Sequence, residues 1–64
     1  MANQFQDMYI GKPLLIEPQP EHKAWKVVDP YSDLFWGGFT SAWKARMYAR
    51  HVLGSSNVKR TDLE

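Results

Sequence analysis

No cysteine occurs in the 64 residues. That excludes a disulfide staple and a thiolate zinc site, so stability must come from the core or from a partner chain. It also fits a cytoplasmic protein. Histidine occurs twice, His22 in a loop and His51 near a helix end. Neither has a second ligand at a metal-binding spacing, and a divalent site needs three or four convergent ligands. No metal and no cofactor are expected. No apolar run approaches the roughly 20 residues of a membrane helix, and the opening MANQFQDMYIGK lacks the charged-then-apolar pattern of a signal peptide. The chain is read as soluble, with no membrane partner. Gly37-Gly38 is followed by neither a third glycine nor a helix-opening Lys-Thr, which excludes a phosphate-binding loop.

Acidic residues are also unevenly placed. Residues 1–34 carry three lysines against five carboxylates, whereas residues 35–64 carry five cations against two carboxylates. From Phe35 through Arg60 there is no acid at all. This asymmetry fits an anionic partner for the second half, and it equally fits a solvated helix face with a charged tail. Glu17, Glu21, Asp29 and Asp33 lie in or beside turns, with no pair held at the separation that acid–base catalysis requires. Ser32, His22 and Asp33 have the residue types of a hydrolytic triad, but so small a unit offers no cleft deep enough to exclude water. An enzyme is not expected.

What the chain does have is concentrated between Ala24 and Leu53, which hold all three tryptophans and two of the three phenylalanines. Residues 1–12 show no sustained period and read as a loose arm; Phe5, Met8 and Tyr9 have the spacing of one helical turn set against the core, but a single turn is not stable alone. A first strand, Leu14 to Glu17, follows Pro13 and is ended by Pro18 and Pro20, which cannot donate to a ladder. It should be short or lie at an edge. Ala24 to Val28 alternates, with Trp25 and Val27 on one side and Ala24, Lys26 and Val28 on the other. Asp29-Pro30-Tyr31-Ser32 then forms a type I turn into a third strand, Leu34 to Gly37, which the glycine pair breaks or bulges. Thr40 or Ser41 caps a helix from Ala42 to Leu53, stopped by Gly54. Its Ala42, Ala45, Ala49 and Val52 form one stripe, flanked by Tyr48 and Leu53, while Trp43, Arg46, Met47 and Arg50 lie opposite. Residues 55–64 read as a frayed tail.

The expected fold is therefore α+β, a three-stranded antiparallel sheet with one C-terminal helix packed on one face. It forms a single small domain whose folded core is 13–54. Burying Trp25, Trp36 and Phe39 at about 150–250 Å² each contributes on the order of 15 kcal/mol gross, which makes these rings core. Phe35, Tyr31 and Trp43 are left outside, and exposed rings mark a binding surface or a dimer contact.

The run from Ala24 to Ala49 resembles the three-stranded-sheet-plus-helix DNA-binding domains of plant ethylene-response factors and, more loosely, the arm-binding amino-terminal domains of tyrosine integrases. Asp29-Pro30, Trp36-Gly37-Gly38-Phe39, Ser41-Ala42 and Ala45 carry the likeness. The resemblance implies an open sheet face set in a DNA major groove, with Lys26, Val28, Asp33 and Phe35 on it. Those families place arginines there, and this chain has Lys26 alone. The candidate partner-binding residues are Lys26, Phe35, Trp43, Arg46, Met47 and Arg50. The expected role is a non-catalytic binding module. Its partner is nucleic acid, through the sheet face or the basic helix face, or alternatively another protein or a second copy in a homodimer.

Overall fold

The computed structural model describes residues 7–63. In chain order it contains β1 (Pro13–Gln19), a short 3-10 turn (Pro20–His22), β2 (Ala24–Val28), β3 (Phe35–Phe39), α1 (Ala42–His51), β4 (Asn57–Arg60) and a closing 3-10 turn (Thr61–Leu63). The strands form one sheet in the order β3-β2-β1-β4. β1 with β2 and β2 with β3 pair antiparallel, whereas β4 runs parallel to β1. The α+β class with a helix packed on a sheet is as expected. The strand count of three is corrected to four, the all-antiparallel sheet to a mostly antiparallel one, and the helix is not C-terminal, since β4 follows it.

The fourth strand comes from the segment read as a frayed tail. Asn57–Arg60 holds one apolar residue, Val58, so no periodicity announces it. What places it is the free side of β1, in register Leu14 to Val58 and Ile16 to Arg60. Ser55 fastens the entry. Its fully buried hydroxyl donates to the Lys12 carbonyl at 2.6 Å and accepts the Asn57 amide at 3.3 Å, joining the starts of both strands.

β1 is therefore an interior strand, not an edge, and it runs through Pro18 to Gln19. The β4 register stops at Ile16, so beside Pro18 that side of β1 has no ladder to interrupt. β3 likewise outlasts its expected end at Gly37. Trp36 pairs with Val27 and Phe39 with Trp25, so two glycines stand opposite Lys26 in a bulge. Gly38, at φ +87°, supplies the left-handed residue. The extra residue shifts the alternation by one, and Phe39 joins Trp36 on the helix side instead of facing away with Phe35.

The Asp29-Pro30-Tyr31-Ser32 turn closes as expected. The Ser32 amide donates to the Asp29 carbonyl at 3.3 Å, and Asp29 Oδ1 accepts the Tyr31 amide at 2.9 Å. In α1, Ser41 is the cap, its hydroxyl accepting the Lys44 amide at 3.1 Å. The helix ends at His51, short of Leu53. The Val52 and Leu53 amides both turn back to the Tyr48 carbonyl before Gly54, which has φ +85°.

Ala45 and Ala49 are fully buried, with Ala42 and Val52 half-buried beside them. Small side chains let the helix lie close, so the centre of the core is aliphatic: Leu14, Ile16, Val27 and Leu53. The rings expected at that centre, Trp25, Trp36 and Phe39, pack around it half-buried. Phe39 leans on Tyr48 with centroids 5.3 Å apart.

The arm also needs correction where it is described. Residues 7–12 are docked, not loose: the Asp7 and Tyr9 amides donate to the Val52 and Leu53 carbonyls at 2.8 and 2.7 Å. One turn needs little stability of its own when it satisfies carbonyls that the helix end leaves open. Tyr9 is 3% exposed and stands edge-on to Trp36, with centroids 5.6 Å apart. Its hydroxyl donates to Asp29 Oδ2 at 2.6 Å. Burial, reinforced by the Asp29 carboxylate, pushes Tyr9 up to about 12, while the same hydrogen bond holds Asp29 below its usual range. Phe5 and the rest of residues 1–6, with Glu64, lie outside the described residues.

Candidate functional site

The six candidate residues fall on two opposite sides of the molecule. Leu14 and Ile16 point to the helix, so their neighbours Leu15 and Glu17 line the open sheet face. Register carries Lys26, Val28, Phe35 and Lys59 onto that same face. Asp33, expected there, lies in the turn before β3 instead.

On the open face Lys26 is already engaged. Its Nζ sits 3.1 Å from Glu17 Oε2 and 5.3 Å over the ring of Phe35. The pair is partly shielded, and a carboxylate at hydrogen-bond distance neutralises the charge that a phosphate would need. Phe35 itself remains 59% exposed. This face therefore offers apolar surface and the Lys59 charge, set against Glu17.

The outer face of α1 differs. Trp43 is 66% exposed and Met47 37%, and Lys44, Arg46 and Arg50 are all exposed. Among the described residues the ion pairs are Lys26 with Glu17 and Arg60 with Asp62, and neither involves α1. The first turn of α1 has no acid and instead carries Lys44. A cation there opposes the helix dipole by about 0.3–1 kcal/mol, a cost that a bound anion would reverse. At the other end Arg50 and His51 lie in the last turn, where the dipole favours them.

Arg60, placed by sequence in a frayed tail, belongs to this side. It reaches from β4 to lie 4.8 Å over the Trp25 ring, and its Nε and Nη2 donate to the two Asp62 carboxylate oxygens at 3.1 and 2.8 Å. That pairing raises Arg60 and holds Asp62 below its ordinary range. Arg60 joins Ile16, Ala42, Trp43 and Arg46 in lining a cleft of about 160 Å³ between the start of α1 and the sheet. The cleft combines an apolar floor, an indole and two guanidinium groups from separate elements. The acid-free composition of the span was the one sequence signal pointing to Arg60.

Among the described residues no group of three or more His, Asp or Glu side chains is placed to hold a metal ion, and no helix is long and apolar enough to cross a membrane. Comparison of the chain with protein-family models, curated proteins and solved structures finds no match.

Proposed function

We propose that the protein is a small non-catalytic binding module that engages nucleic acid through the outer face of α1. One observation carries this reading: Trp43, Arg46, Met47 and Arg50, with Lys44, form an exposed surface with no carboxylate on the helix and no ion-pair partner among the described residues. Cations interleaved with an aromatic ring match the needs of a phosphate backbone carrying bases. The likeness to sheet-plus-helix DNA-binding domains points to the open sheet face. The pairing of Lys26 with Glu17 favours the helix instead.

The magnitude follows from counterion release. Three helix cations, Lys44, Arg46 and Arg50, predict a slope of log affinity against log salt of about −2.7 on duplex DNA. Fluorescence anisotropy with a labelled duplex across a salt series should give a slope near that value. Replacing Lys44, Arg46 and Arg50 together by Gln should flatten the slope by about 2.7, while Lys26→Gln leaves it unchanged. Absence of binding at low salt, or binding indifferent to salt, overturns the reading.

A second reading, a protein contact or homodimer, is favoured by Tyr31, Leu34 and Phe35. These lie within five residues of one another at the β2–β3 turn and the start of β3, and all are exposed. Such clustered apolar surface suits a partner protein better than a phosphate backbone.

A further inference from the structure

The charge of α1 alone does not distinguish a duplex from a single strand; the cleft beside it adds a size and an exposed ring. Its volume of about 160 Å³ is well below the ~300–1,000 Å³ of pockets that enclose drug-sized ligands. A single ring or a single phosphate group fits, whereas a dinucleotide cofactor does not. Trp43 forms one wall and keeps two-thirds of its surface in solvent. Indole faces left bare beside arginines suit unpaired bases, whose π-faces are free; in a duplex those faces are stacked on neighbouring bases.

Arg60, which also lines the cleft, is fixed before any ligand arrives. Arg60 is held by its stack on Trp25 and by the fork of Asp62, which together orient the guanidinium. Nε and Nη2 make the bonds to Asp62, so the Nη1 donors stand outside that pair. Arg46, one helical turn beyond Trp43, has no ion pair among the described residues.

Resting on the nucleic-acid reading above, we infer that this cleft is a single-base subsite for single-stranded nucleic acid. One base stacks on Trp43, and the adjoining phosphate is bound by Arg46, which has no ion pair among the described residues. The apolar floor, Ile16 and Ala42, takes the ring edge and makes no base-specific hydrogen bond. The subsite is therefore tolerant of base identity.

The test compares four labelled or competing probes on the intact chain: an oligothymidylate, an abasic strand with the same number of phosphates, a duplex, and an oligoglutamate peptide. The oligothymidylate should bind at least roughly five-fold tighter than the abasic strand, the lower end of what one base–aromatic stack supplies. Trp43→Ala should remove that difference, with Trp43→Phe restoring most of the loss. Thermal melting by circular dichroism establishes that each variant folds. Equal binding of abasic and base-containing strands overturns the subsite, as does a Trp43→Ala variant that keeps the full preference for the base-containing strand, or oligoglutamate competing as well as the oligothymidylate. Salt-dependent binding without base dependence sinks the subsite and leaves the basic helix face standing. Failure of every nucleic acid probe sinks both.

Discussion

Tyr9 and Asp29 are 20 residues apart in sequence and 2.6 Å apart in space, and their contact ties the amino-terminal turn to the β2–β3 turn. Folding raises Tyr9 from 10 to about 12, so its contribution to stability is whole below pH 10 and lost as pH climbs from 10 towards 12. Asp29 is lowered from 3.8, so its contribution is present above about that value and lost as pH falls below it. Urea unfolding midpoints should therefore decline at both extremes. Tyr9→Phe should cost about 1 kcal/mol at neutral pH, because Asp29 keeps its bonds from the Tyr31 amide and the Ser32 hydroxyl. The variant should also have a shallower alkaline decline than the wild type, since it lacks the raised Tyr9 hydroxyl. An identical alkaline limb in the two proteins would show that the hydroxyl is not held as described. The same scale explains Gly54: at φ +85°, a Cβ there would meet Ile10 Cγ1 at 2.9 Å and the Asp7 backbone at 3.1 Å, so the residue that ends the helix also admits the docked turn.

Among the elements, β4 is the one whose contribution is least apparent from its own residues. It covers the side of β1 that would otherwise present unpaired amides and carbonyls, brings Val58 against the core, and carries Arg60 to Trp25. A chain of this length has a net stability of only a few kcal/mol. Losing a strand together with the buried Ser55 junction exceeds that margin. Ending the chain after Gly54 should abolish cooperative thermal unfolding, followed by circular dichroism. A truncated chain that melts as sharply and at the same temperature as the full one would show β4 to be an ornament. α1, by contrast, is supported from within its own sequence: Ser41 caps it, Ala45 and Ala49 seat it, and Gly54 releases it.

For the whole molecule, the question is whether the sheet recruits a second copy. Its two outer strands are β3 and β4. β3 is bulged at Gly37-Gly38, and β4 is four residues long and ends in Lys59-Arg60, devices that discourage strand addition. Sedimentation velocity over a range of concentrations should accordingly show a monomer. A concentration-dependent dimer that Phe35→Ser abolishes would instead favour the protein-contact reading. The sequence alone determined the α+β class, the hairpin, the helix with its alanine stripe, and the outward placement of Phe35, Trp43, Arg46, Met47 and Arg50. Periods of two and 3.6 are set by consecutive residues and survive without any tertiary knowledge. Only the tertiary structure decided that residues 57–60 are a strand, that Tyr9 is core, and that β3 runs on past the glycine pair to Phe39. It likewise decided that Glu17 occupies Lys26 and that Arg60 meets the cleft beside Trp43. Each of these depends on a partner many residues away, and the free edge, open carbonyl or unpaired charge that selects it exists only once the chain has folded.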